Sequence, residues 1–194
     1  TTGYVYLLGT VDSDSASALK ALSITAGAGN VRFGDTVGQT AALYSVDVVS
    51  AVTTDIFASL KTNGSTNISG RTTGVRIATT SKLNFGNVST ESNNTALVID
   101  TSGGNGVFTL NNSASTIVAQ MRAPVEFKRG SGAINLNSTL FSTTGEYNNL
   151  SFTTASGSGG GTVTVVSTIG GGTQASTSGL GDIFVDSVSN LSFQ

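Results

Sequence analysis

Short apolar alternations broken by glycine corners constrain this chain more than any other feature. Between Leu22 and Val48, three runs place apolar side chains two residues apart: Leu22/Ile24, Val31/Phe33 and Val46/Val48. Two residues is the strand period, so each run buries one face and leaves the other wet. Gly27, Gly29 and Asn30 separate the first two runs, and Gly34, Asp35 and Gly38 follow the second. Such residues accept positive φ and turn the chain tightly.

The unit returns twice. Leu97–Ile99 leads through Ser102–Gly106 into Val107–Leu110, and Leu150–Phe152 leads through Ser156–Gly161 into Val163–Val165. By pattern, Ile169-Gly170 answers Val37-Gly38, and Leu180–Val185 answers Leu43–Val48. Recurrence of a strand, corner, strand unit points to a repeat architecture. The expectation is a single all-β domain over residues 1–194, with degenerate internal repeats near 22–48, 97–110 and 150–185. The fold expected is a parallel β-solenoid, or β-helix, of irregular coils. Alternation also permits a pilin-like or surface-layer-like β-sandwich. Glycine corners in place of two-residue hairpin turns favour the solenoid.

Composition narrows the function classes. Twenty-five glycines in 194 residues suggest disorder, but the regular return of Val, Ile, Leu and Phe argues for folded strands. Without cysteine there are no disulfides, so ladders and packing must supply the stability. A net charge of −2 with scattered Lys and Arg gives no basic patch, which argues against nucleic acid as a partner. No apolar run approaches the roughly 20 residues of a membrane helix, and no membrane insertion is expected. A polar, cysteine-free chain opening on Thr1-Thr2 rather than Met is expected to be processed or trimmed. The expected location is extracellular, secreted or on a bacterial or archaeal cell surface.

Catalytic chemistry is scarce. With no His and no Cys, the commonest bases, nucleophiles and metal ligands are missing. Carboxylates such as Asp47 and Asp100 stand apart in sequence, and no enzyme activity or cofactor is expected. Asp12 and Asp14 flank Ser13 and are the candidate metal ligands; two carboxylates are few for calcium, which takes six or more oxygens. The glycine loops are followed by strands rather than helices, so they read as corners and not phosphate cradles.

Elsewhere, Ser17–Ala21 is expected to form a short helical turn and Val49–Leu60 a strand. Arg71–Ile77 and Lys82–Phe85 are expected to form two separate strands. Pro124 marks a strand start, because it cannot donate to a ladder. Lys128-Arg129-Gly130 is expected to form a solvated basic turn.

Apolar strands sit near both ends: Tyr4, Val5, Tyr6, Leu7 and Leu8 at one, and Ile183, Val185, Leu191 and Phe193 at the other. A repeat protein in isolation carries polar caps. Their absence predicts that these nine residues form a subunit interface.

Gly9-Thr-Val11, Ala18–Ala26, Gly29–Phe33, Val37-Gly38 and Leu43–Val48 together resemble the repeats of filamentous haemagglutinin-type secreted adhesins and exoproteins, with looser similarity over 97–110 and 150–188. The resemblance implies a right-handed parallel β-helix and a role in adhesion or extracellular structure. Three functions are weighed. One is a non-enzymatic extracellular structural subunit that assembles end to end into a surface filament, sheath or adhesive fibre by strand addition, its partner being copies of itself. Another is a fragment of a large secreted adhesin acting as a monomeric binding module, with Tyr44 and Tyr147 as candidate contacts for host or surface glycans. The last is a polysaccharide-active β-helix enzyme.

Overall fold

The computed structural model describes residues 3–17, 20–63, 74–85, 97–104, 106–110, 118–143, 145–154, 161–166, 169–170, 179–186 and 190–193. The fold is a parallel β-solenoid, and every strand pair among these residues is parallel. A sandwich of hairpins would pair neighbouring strands antiparallel, so that alternative is set aside.

Three columns of strands stack along the solenoid. The first holds β1 (Val5–Leu7), β3 (Val31–Phe33), the second halves of β4 (Ser45–Ile56) and β6 (Gly74–Phe85), β9 (Val118–Met121) and β12 (Thr139–Ser142), and ends on a bridge from Leu140 to Ile169. The second begins with bridges linking Val11, Val37 and Leu60. It continues through β5 (Leu60–Lys61), β7 (Leu97–Asp100), β10 (Val125–Arg129), β13 (Leu150–Thr154) and β15 (Ile183–Val185). The third holds β2 (Ala21–Thr25), the first halves of β4 and β6, β8 (Val107–Leu110), β11 (Ile134–Leu136), β14 (Thr162–Val165) and β16 (Asn190–Phe193).

Strands β4 and β6 run through a corner and merge the first and third columns into one 11-stranded sheet; the second column is a separate 5-stranded sheet. The expected pair of strands across 71–77 and 82–85 is thus a single strand, Gly74–Phe85. Ala78-Thr-Thr-Ser81 offers neither Gly nor Pro to break it. The corner is instead absorbed as register shifts between Val48 and Ala51 and between Ala51 and Thr53, opposite β6. Bulges of this kind bend a strand without ending it.

Alternation decides which side chains fill the interior. Val31, Phe33, Val46, Val48, Ile56, Leu83, Phe85, Ile99, Phe108, Leu110, Phe127, Leu136, Phe152, Val163 and Val165 are all buried in one continuous core. Each large side chain taken fully out of water contributes roughly 1.5–3 kcal/mol. At the centre, the Phe127 ring meets Phe108 at 4.8 Å, Phe152 at 5.7 Å and, edge-on, Phe85 at 5.9 Å.

Two expectations fail locally. Of the turn expected over Ser17–Ala21, Ala18 and Leu19 lie outside the described residues, but Ala21 opens strand β2, because Leu22 and Ile24 follow the strand period and stack on Val46 and Val48. Lys128 and Arg129 lie within β10, not in a solvated turn. Arg129 shares the inward phase of Val125 and Phe127 and is fully buried; strand phase overrides charge here.

Candidate functional site

The outer faces of the columns carry side-chain ladders. On the first column Tyr6, Arg32, Asp55, Asn84 and Gln120 stack coil on coil. The Arg32 guanidinium lies 4.9 Å from the Tyr6 ring centre and 4.8 Å from that of Phe57. It donates from Nε (3.2 Å) and Nη2 (3.1 Å) to Asp55 Oδ2. Asn84 Nδ2 donates to the other oxygen of Asp55 at 2.8 Å. Asp55 thus stitches three consecutive coils. Its replacement by Ala should destabilise the protein by about 2 kcal/mol, since it strands one buried amide and removes a charged acceptor. Denaturant titration of Asp55→Ala against wild type checks this; a loss under about 0.5 kcal/mol would mean the ladder is decorative.

The carboxylates weighed for catalysis are occupied separately. Asp100 accepts from the Ser102 backbone N–H at 2.9 Å and its hydroxyl at 2.6 Å, and stands 3.9 Å from Lys128 Nζ. Glu126 accepts from the Thr153 hydroxyl at 2.6 Å. Asp47 lies on an outward position of β4. The candidate calcium ligands also have structural roles or stand alone. Asp12 Oδ1 accepts from the backbone N–H groups of Thr40 (3.1 Å) and Ala41 (3.3 Å), tying its turn to the next coil, while Asp14 is exposed. Among the described residues no three His, Cys, Asp or Glu side chains gather. Of the two aromatic contacts proposed for glycans, Tyr44 is buried, 2% exposed. It directly precedes β4, and its backbone N–H is held by Lys20. Tyr147 is exposed, with a positive φ of 50°.

What the fold does expose is its two ends. Strand β1 pairs only with β3 and β2 only with β4; at the far end β15 pairs only with β13 and β16 only with β14. Among the described residues, each end coil therefore presents an unpaired strand edge. Exposed large apolar side chains collect there: Tyr4, Tyr6 and Leu8 at one end, Ile183, Phe184 and Val185 at the other. Val5, Leu7, Val11 and Leu22 are only half covered at the first end, and Ile169, Leu180 and Leu191 at the second. No protein family matches the chain, and no match was found among curated proteins or solved structures.

The residues expected at a subunit interface fall in different columns. Tyr4–Leu8 stand in or beside the first column, whereas Ile183 and Val185 belong to the second and Leu191 and Phe193 to the third. The strands that share a column with β15 and β16 at the other end are the Val11 segment and β2. Sequence reading missed Phe184 and the edge role of Ala21–Thr25. Phe184 points outward by strand phase, so apolar alternation alone skips it. Ala21–Thr25 reads as an interior strand because Leu22 and Ile24 do face the core.

Proposed function

We propose that this chain is a non-enzymatic structural subunit that stacks end to end on copies of itself, forming an extracellular filament, sheath or adhesive fibre at a cell surface. The observation that carries the reading is the coincidence, at both ends, of an open parallel strand edge with exposed apolar side chains. An unpaired edge is a template for another strand. In a parallel solenoid the two edges match in direction, so a second copy can continue the columns as each coil continues the last. In that register β16 meets β2, β15 meets the Val11 segment, and Ile169-Gly170 meets β1. Burial of Tyr4, Leu8, Phe184 and their neighbours adds apolar stabilisation to the ladder. Low charge and the absence of disulfides suit a polymer stabilised by ladders and packing.

Electron microscopy of the purified chain at neutral pH, with and without calcium, tests the proposal. Regular filaments are expected in both conditions, and dispersed particles in both would overturn it. The register has its own test. The Tyr44 N–H donates to Lys20 C=O, so in the two-residue parallel pattern Leu22 and Ile24 face β4, and the Ser23 N–H faces the open edge. Ser23→Pro removes only that outward donor, a position an edge strand tolerates. It should leave the circular dichroism spectrum and melting temperature near wild type while raising the critical concentration for assembly at least about ten-fold, the effect of about 1.4 kcal/mol per junction. Unchanged assembly would place the junction elsewhere.

A further inference from the structure

We propose that the solenoid interior holds a small inorganic anion on the guanidinium of Arg129. Strand β10 carries Val125, Phe127 and Arg129 inward, and Arg129 is fully buried. None of its three nitrogens, Nε, Nη1 or Nη2, has a hydrogen-bond partner. A guanidinium presents five N–H donors in a fixed fork and keeps its proton under all ordinary conditions. A buried unpaired cation is strongly unfavourable, and buried polar groups are almost always satisfied. Burial also lowers the Arg129 pKa by desolvation, a cost that an anion at hydrogen-bond distance offsets.

Among the described residues no carboxylate is placed to serve. Asp100, on the neighbouring strand, faces outward and is engaged by Ser102 and Lys128. Glu126 is engaged by Thr153 on the outer face. The interior row containing Arg129 is polar in its other coils: it aligns with Thr154, and the ladder continues the row through Thr101 and Thr62. Thr101 and Thr62 are buried, and the Thr62 hydroxyl is also without a partner. The Thr154 hydroxyl donates to the Asp186 carbonyl, so the row offers the buried threonines and a cation, with no acid among the described residues, the donor set of an anion site.

The surroundings set the size. A Cβ at Gly161 would lie 2.9 Å from Arg129 Nη1, 2.2 Å from the Gly132 carbonyl oxygen and 2.7 Å from that of Ser131. Backbone at Gly161 therefore crowds the Nη1 side. An anion takes the Nε–Nη2 edge, where the fork is bidentate and away from the crowded Nη1. Chloride is the probe of choice.

The test is thermal unfolding of the full chain across rising chloride at constant ionic strength, with gluconate, too bulky for the interior, as the replaced anion. Wild type should show a saturable rise in melting temperature of about 5 °C or more. Arg129→Met should show no saturable rise. If both proteins respond equally to chloride, or neither responds, the site does not exist. Should Arg129→Met fail to fold, chloride-35 NMR on wild type decides. Line broadening that a second small anion relieves supports the site, and its absence overturns it.

Discussion

Replacing Phe127 with Ala is expected to cost the protein about 3–5 kcal/mol, the range for deleting a large aromatic side chain from a packed core. The position is 1% exposed. Its ring contacts Phe85, Phe108 and Phe152, which belong to β6, β8 and β13 and so to all three columns. A cavity here cannot collapse easily, because neighbouring coils are held about 4.8 Å apart by their ladders. Aromatic pairs add roughly 0.5–1.5 kcal/mol each beyond area burial, which pushes the loss toward the top of the range. Denaturant unfolding measures it, with Phe184→Ala as the control. Phe184 is 53% exposed, and its truncation should change the monomer by under about 1 kcal/mol. Because neighbouring coils stabilise one another in a solenoid, weakening the centre should also broaden the transition. A loss under about 1 kcal/mol for Phe127→Ala would mean that the interior is loosely packed.

Much of this architecture was legible because the strand period is written plainly into the chain. Leu22/Ile24, Val31/Phe33 and Val46/Val48 all turn toward the core as their alternation indicates, Leu22 half covered and the other five buried, and the Gly27–Asn30 corner does lead into a strand. The coil length was harder to read. Val5, Val31, Thr54, Leu83, Ala119, Leu140 and Ile169 occupy one interior row, yet their spacings run 26, 23, 29, 36, 21 and 29 residues. Corners of unequal length erase any fixed period while the ladders remain intact, since loop length costs little in free energy. The same effect misaligned the copies. The strands of 97–110 and 150–165 do occupy equivalent places in the second and third columns, but an intervening coil, Val125–Leu136, lies between them, its corner the shorter Gly130-Ser-Gly132. Ile169 bridges in the first column and Val37 in the second, so their shared Gly partner reflects a common corner chemistry and not a common position. Arg129 shows the other limit. Nothing in Lys128-Arg129-Gly130 announces burial; only the phase set by Val125 and Phe127, continued for one more residue, turns that side chain inward.

Gly38 and Gly27 separate two demands that sequence reading merges. Both sit at positive φ, 72° and 59°, where a β-carbon is strained by about 1 kcal/mol. At Gly27 nothing lies within 4 Å of a β-carbon, so Gly27→Ala should lose about that strain and no more. At Gly38 a β-carbon would fall 2.1 Å from the Lys61 carbonyl oxygen and 3.2 Å from the Leu43 backbone nitrogen. Both are backbone atoms of the stacked corner and cannot rotate away. Gly38 N–H also donates to Val11 C=O at 2.8 Å, and Lys61 N–H donates to Val37 C=O at 2.8 Å. Relief of the clash must therefore stretch one of the bonds that join Val11, Val37 and Leu60 into the start of the second column. Overpacking of this kind adds roughly 1–3 kcal/mol to the strain, so Gly38→Ala should cost about 3 kcal/mol. Denaturant titration of the two variants side by side reads the difference. Equal losses would show that the corner at Gly38 has room to open; a gap of about 2 kcal/mol identifies close approach between coils, rather than backbone freedom, as the reason glycine stands there.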